Sequence, residues 1–165
     1  MLLVSDKISQ VCNYVEQTFS QMEDLFEVLN ESEQYLAVNP EKLTWIFRDI
    51  RNLWREKLGE LNHLRNEKFF SYVDTNLKRT LEDCIQESER VLSVVEALND
   101  TLSQAYYEYE VSGTSGNLAN IAPLCMWQSE YCKQYPIVKK ANMQLVEKLK
   151  LIQYEILRIE EIMSS

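Results

Sequence analysis

The chain has 165 residues, 45% of them hydrophobic, and a net charge of -9. That apolar content excludes wholesale disorder, and three glycines with three prolines are too few turn residues for an all-β protein. Surplus acid also argues against nucleic acid as a partner, because a phosphate backbone rewards surplus Lys and Arg. No apolar run approaches the roughly 18 residues of a membrane span, so no membrane is expected. Four cysteines, Cys12, Cys84, Cys125 and Cys132, stand far apart with no CxxC, and the start of the chain shows no signal-peptide core. A cytoplasmic protein with buried free thiols is the expectation.

The first predicted helix runs from about Ser5 to Ala37. Val4, Ile8, Val11, Val15, Thr18, Met22, Leu25 and Leu29 form its seam, and Cys12, Phe19 and Phe26 widen the apolar face beside it. A wide face suits a globular bundle better than a two-stranded zipper. Asn39-Pro40 then punctuates the chain: Asn is a good N-cap, and Pro fits the first helical position. Helix 2 starts there, with Leu43, Ile46, Phe47, Ile50, Leu53, Trp54, Leu58, Leu61 and Leu64 as its core face. Gly59 inside it reads as a close crossing or a kink.

A break near Ser71–Asn76, with Asp74 or Ser71 as cap, separates helix 2 from helix 3. Without it the helix would be roughly 105 Å long, too long for a compact domain of this size. Helix 3 carries the cleanest signal: Leu77, Leu81, Cys84, Ser88, Val91, Val95, Leu98, Leu102, Ala105 and Tyr109 step three then four, the spacing of coiled coils, without interruption to about Val111. Ser112–Asn117 is the flexible stretch. Residues 118–136, with Pro123 and Pro136, form either a short extra helix or the first half of a kinked helix 4. From Val138 the seam returns through Ala141, Leu145, Leu149, Ile152, Ile156, Ile159 and Met163. The fold class is all-α: an antiparallel four-helix bundle over residues 1–165.

Charge is distributed in blocks. Residues 1–41 carry -7, residues 42–79 +4, residues 80–110 -7 and residues 111–165 +1. Packing as neighbours gives these helices complementary fields, which bias arrangement more than they stabilise. On a helical wheel Arg48, Arg51 and Arg55 fall on one flank of helix 2 and Asp49, Glu56, Glu60 and Glu67 on the other. The arginine stripe is either scaffolding against acidic neighbours or a site for an acidic partner. Tyr106, Tyr107, Tyr109, Trp127, Tyr131 and Tyr135 cluster around the loop before helix 4. They close one end of the bundle or form an interface, so Tyr107, Trp127 and Tyr131 are further partner-binding candidates.

Catalytic constellations are missing. His63 is the single histidine, and Glu60-Leu-Asn-His63 has the E-x-x-H spacing of di-iron bundles, which need two such motifs. The wheel puts His63 on the polar side. No nucleophile elbow, phosphate loop or zinc spacing accompanies it. No catalytic residue, metal or cofactor is expected.

The stretch Leu64-Arg65-Asn66-Glu67-Lys68-Phe69-Phe70-Ser71-Tyr72 resembles the HEPN group of small helical toxins and nucleotide-binding domains. That signature is an arginine, often Arg-Asn, followed four to six residues later by a histidine, and the pair cleaves RNA in the ribonuclease members. Arg65-Asn66 matches the first half. The histidine position falls at Phe70 or Tyr72, and His63 lies on the wrong side. The resemblance implies an RNase or toxin–antitoxin component with a degenerate motif, for which Arg65, Asn66 and Tyr72 are the candidates. The residues themselves point instead to a non-catalytic interaction or regulatory module. Its partner would be another protein or, in a homodimer, a second copy of the chain. A helical cytokine-like ligand is the third reading.

Overall fold

The computed structural model describes residues 3–31, 39–67, 70, 73–112 and 122–164. Four helices account for nearly all of them: α1 (Val4–Glu31), α2 (Pro40–Arg65), α3 (Thr75–Ser112) and α4 (Ala122–Ser164). Among the described residues there is no strand. Each helix packs on its sequence neighbour, and α4 closes the ring against α1. This is the antiparallel, up-down-up-down four-helix bundle that the seams predict.

Local chemistry sets the helix ends. The Asn39 side chain accepts from the backbone N–H groups of Glu41 and Lys42, with Pro40 following it in the first helical position. The Asp74 carboxylate accepts from the Leu77 N–H at 2.8 Å, capping α3. The break between α2 and α3 opens at Asn66, earlier than the sequence suggests, because the Asn66 and Glu67 N–H groups turn back to His63 and Leu64 carbonyls. Residues 32–38, 68, 69, 71, 72 and 113–121 lie outside the described residues, and with them the expected end of helix 1, the candidate cap Ser71 and most of the stretch Ser112–Asn117. No separate helix occupies 122–136. That segment is the start of α4, which runs on through Pro136. The proline ring is exposed on the outside of the bundle, where one missing backbone bond is tolerated in a helix of 43 residues.

The predicted seams are the core. Every seam position of α3 from Leu81 to Ala105 is buried, as are Ile8 to Leu29 on α1. Val4, Leu77, Tyr109, Ala141 and Ile159 near the seam edges and Ile46, Leu53 and Leu58 of α2 are half-buried, and Met163 is exposed. Gly59 marks no crossing: a Cβ there would meet nothing within 4 Å. At one end the core is aromatic. Trp127 of α4 stacks on Tyr131, which lies tilted against Tyr135; Phe47 of α2 meets Trp127 and Tyr131 edge-on, and Phe26 of α1 stacks on Tyr135 at 4.3 Å. Toward the other end it is aliphatic, with Leu145, Leu149, Ile152 and Ile156 fully buried.

Candidate functional site

The three arginines of the α2 stripe have different surroundings. Arg55 Nε donates to the Glu96 carboxylate of α3 at 2.6 Å, so it braces the α2–α3 contact. Its side chain is about half exposed and the pair contributes only about 0–1 kcal/mol. Arg51 is half-buried; one guanidinium nitrogen donates to Asn52, while Nε is buried without a partner. Arg48 is exposed, and no ion pair among the described residues reaches it. One turn before it stands Trp45, 59% exposed. Sequence reading missed Trp45; its signal was position, since it falls off the apolar face of α2 that takes Leu43, Phe47 and Ile50.

The acidic flank of α2 faces α1. Glu67 pairs with Lys7, and between them and His63 lies a small cavity that Glu60 also lines. Beside it Lys57 is almost wholly buried. Its ammonium lies 3.2 Å from the centroid of the Tyr14 ring and pairs with Glu60 at 3.1 Å. A charged residue on the core side of α2 was not anticipated; its long alkyl stem crosses the apolar face and its head finds both a carboxylate and a ring. His63 is exposed, and among the described residues no group of three His, Cys, Asp or Glu side chains is placed to hold a metal.

Arg65 and Asn66 line a cavity of about 500 Å³ with Phe70, Lys78 and Glu82. The Arg65 guanidinium is bound to the Glu82 carboxylate at 3.1 Å and to Asn62 at 2.8 Å, and the Asn66 backbone caps α2. Both residues therefore have structural work at the α2–α3 turn. Tyr72 lies outside the described residues.

Two of the aromatic candidates belong to the interior. Trp127 is 3% exposed and donates through Nε1 to the Leu98 carbonyl at 2.7 Å. Tyr131 is fully buried and its hydroxyl donates to the Met22 carbonyl at 2.6 Å. Neither presents a surface to a partner, because the spacing 124, 127, 131, 135, 138 extends the α4 seam through Pro136. Burial pushes the Tyr131 hydroxyl far above its ordinary value and that of Tyr135 up to about 12. Tyr107, 62% exposed, is the one of the three at the surface. Of the thiols, Cys12 and Cys84 are buried, Cys132 is half-buried, and Cys125 is exposed rather than buried. Desolvation raises the Cys84 thiol to about 12.

No family model matches the chain, and neither a curated protein nor a solved structure shows significant similarity to it.

Proposed function

We propose that the chain is a non-catalytic protein-interaction module that captures an acidic, partly apolar segment of a partner on α2. The observation that carries this reading is the exposed pair Trp45–Arg48, one helical turn apart, with the arginine untied. Trp and Arg are the side chains that most often dominate binding surfaces, and a solvated tryptophan has no role in the core it turns away from. Arg55, braced by Glu96, belongs to the scaffold in this reading. Four unpaired thiols favour a reducing compartment such as the cytoplasm, and no described helix is long and apolar enough to cross a membrane.

The test is a comparative capture. Immobilised wild type, Trp45→Ala/Arg48→Glu and Arg55→Glu are incubated with cell extract and the retained proteins identified by mass spectrometry. The reading expects proteins retained by wild type and by Arg55→Glu but lost from the double variant, with the double variant's melting temperature unchanged. Equal retention by all three contradicts it.

A further inference from the structure

The outer face of α4 carries a second three-then-four series, on the side of the helix away from the core: Glu130, Lys133, Ile137, Lys140, Gln144, Glu147, Leu151, Tyr154 and Arg158. All nine are exposed. Three are large and apolar, with Ile137 61%, Leu151 59% and Tyr154 66% exposed. No ion pair among the described residues reaches Lys133, Lys140 or Glu147; Arg158 pairs within α4 with Glu155, and Glu130 accepts from Gln134. A regular stripe of this kind is the form of surface a second helix can lie along.

We propose that this stripe binds the same stripe of a second copy of the chain, antiparallel, with the two-fold axis at Gln144. The series is nearly symmetric about that residue, so each position meets a fixed counterpart. Ile137 meets the second copy's Leu151. Lys140 meets the second copy's Glu147, Glu130 the second copy's Arg158, and Lys133 the face of the second copy's Tyr154. Gln144 meets itself. Every pairing is apolar with apolar, opposite charges, cation with ring, or amide with amide. The small departures from symmetry amount to one residue, about 1.5 Å of stagger, within reach of Lys and Glu side chains. A parallel arrangement would set Glu130, Lys133, Lys140, Glu147 and Arg158 each against its own like charge, which a homodimer cannot sustain. The contact runs about 42 Å along the helix.

The surface beside the stripe fits the same occupant. A shallow groove between α3 and α4 has Val91, Val94, Ile137 and Ala141 in its walls, with Lys140 and the Arg90–Glu87 ion pair at the rim. The second copy's Glu147 and Leu151 reach this groove in the proposed register, carboxylate toward Lys140 and leucine toward the valines. Isologous contact of this kind closes at two copies and leaves no open edge. The α2 patch of Trp45 and Arg48 takes no part, so the two surfaces stand or fall separately.

Charge reversal with rescue tests the proposal. Sedimentation velocity is run on wild type, Lys140→Glu, Glu147→Lys and the doubly reversed chain across about a hundredfold range of concentration. In an antiparallel pair each single reversal creates two like-charge contacts, and the double reversal restores both attractions. The expected result is a wild-type dimer, each single variant weakened roughly tenfold or more, and the double variant restored. Both positions are exposed, and unchanged helical circular dichroism checks that the variants fold. A wild type that stays monomeric, single variants that dimerise as well as wild type, or a double variant that is not rescued overturns the proposal. A monomeric wild type that still loses its captured proteins on Trp45→Ala/Arg48→Glu refutes this inference alone.

Discussion

The inner and outer stripes of α4 follow the same step and hold different chemistry. Inside, Tyr131, Tyr135, Val138, Leu145, Leu149, Ile152 and Ile156 are apolar or aromatic and almost completely buried, with the buried Asn142 as the polar position among them. Outside, apolar side chains alternate with lysine, glutamate and arginine along the same length of helix. A largely apolar stripe packs against any apolar neighbour and fixes the fold. A stripe with charges in set places discriminates between neighbours and registers, at low cost to a chain that stands alone in water. The same division runs along α2, where Arg55 is tied into the scaffold and Arg48 is not.

The largest effects should separate the two α4 stripes. Leu149 and Leu151 are two residues apart on opposite faces. Leu149→Ala should cost about 2–5 kcal/mol of unfolding free energy, since it opens a cavity in a closed interior. Leu151→Ala should cost less than about 0.5 kcal/mol in dilute solution. Urea denaturation of both variants measures the contrast; equal losses would mean that the outer stripe is part of the core.

Alkaline pH probes the interior through its thiol. Cys84 holds its proton to about 12 in the folded bundle, because burial disfavours the thiolate, against an ordinary value of 9.0. The folded state therefore keeps a proton that the unfolded chain releases first. The associated stability is fully present below pH 9 and is lost as pH rises toward 12, at about 1.4 kcal/mol per pH unit once the unfolded thiol has ionised. Between pH 9 and 10, Cys84→Ala should flatten the fall in stability seen in wild type. Cys125, exposed on α4, should react with a thiol reagent in the native protein while Cys84 is protected.

Smaller effects sharpen the picture of the aromatic end. Tyr131→Phe removes a buried hydroxyl bonded to the Met22 carbonyl and should cost about 1 kcal/mol. Tyr135, one turn on, has a buried hydroxyl with no hydrogen-bond partner among the described residues. Tyr135→Phe should be neutral or slightly stabilising. Thermal melts of the pair check the order. Gly59→Ala should raise stability by about 0.5–1 kcal/mol, because the added methyl meets nothing and the helix gains propensity.

Much of this was legible in the sequence, for a simple reason: unbroken spacing in a glycine-poor chain leaves little but long helices. The α3 seam is the clearest case, with every position from Leu81 to Ala105 buried. The sites were harder. Pro136 reads as a breaker, which hid the continuity of the seam through Trp127, Tyr131 and Tyr135 and left these aromatics open between closing one end of the bundle and forming an interface. Its ring sits outside the bundle, where the helix forgoes one backbone bond and continues. Lys57 reads as polar, and the Tyr14 ring with the Glu60 and Glu56 carboxylates beside it explains a lysine in the interior. The arginine stripe was visible as a stripe, but not its division, because which arginine meets a carboxylate depends on the register of α3 against α2.

The central claim is that the outer stripe of α4 is a docking face rather than a solvated one. Its most direct test is the concentration dependence of the melting temperature, because a contact made only between folded copies stabilises by mass action. Melting temperatures of wild type, Lys140→Glu and the Lys140→Glu/Glu147→Lys pair should be recorded across the same range of concentration. The account predicts a rise with concentration in wild type, a rise displaced to roughly tenfold or more higher concentration in the single variant, and the wild-type curve regained in the double. A wild-type melting temperature indifferent to concentration, or a rise that Lys140→Glu leaves intact, would contradict it.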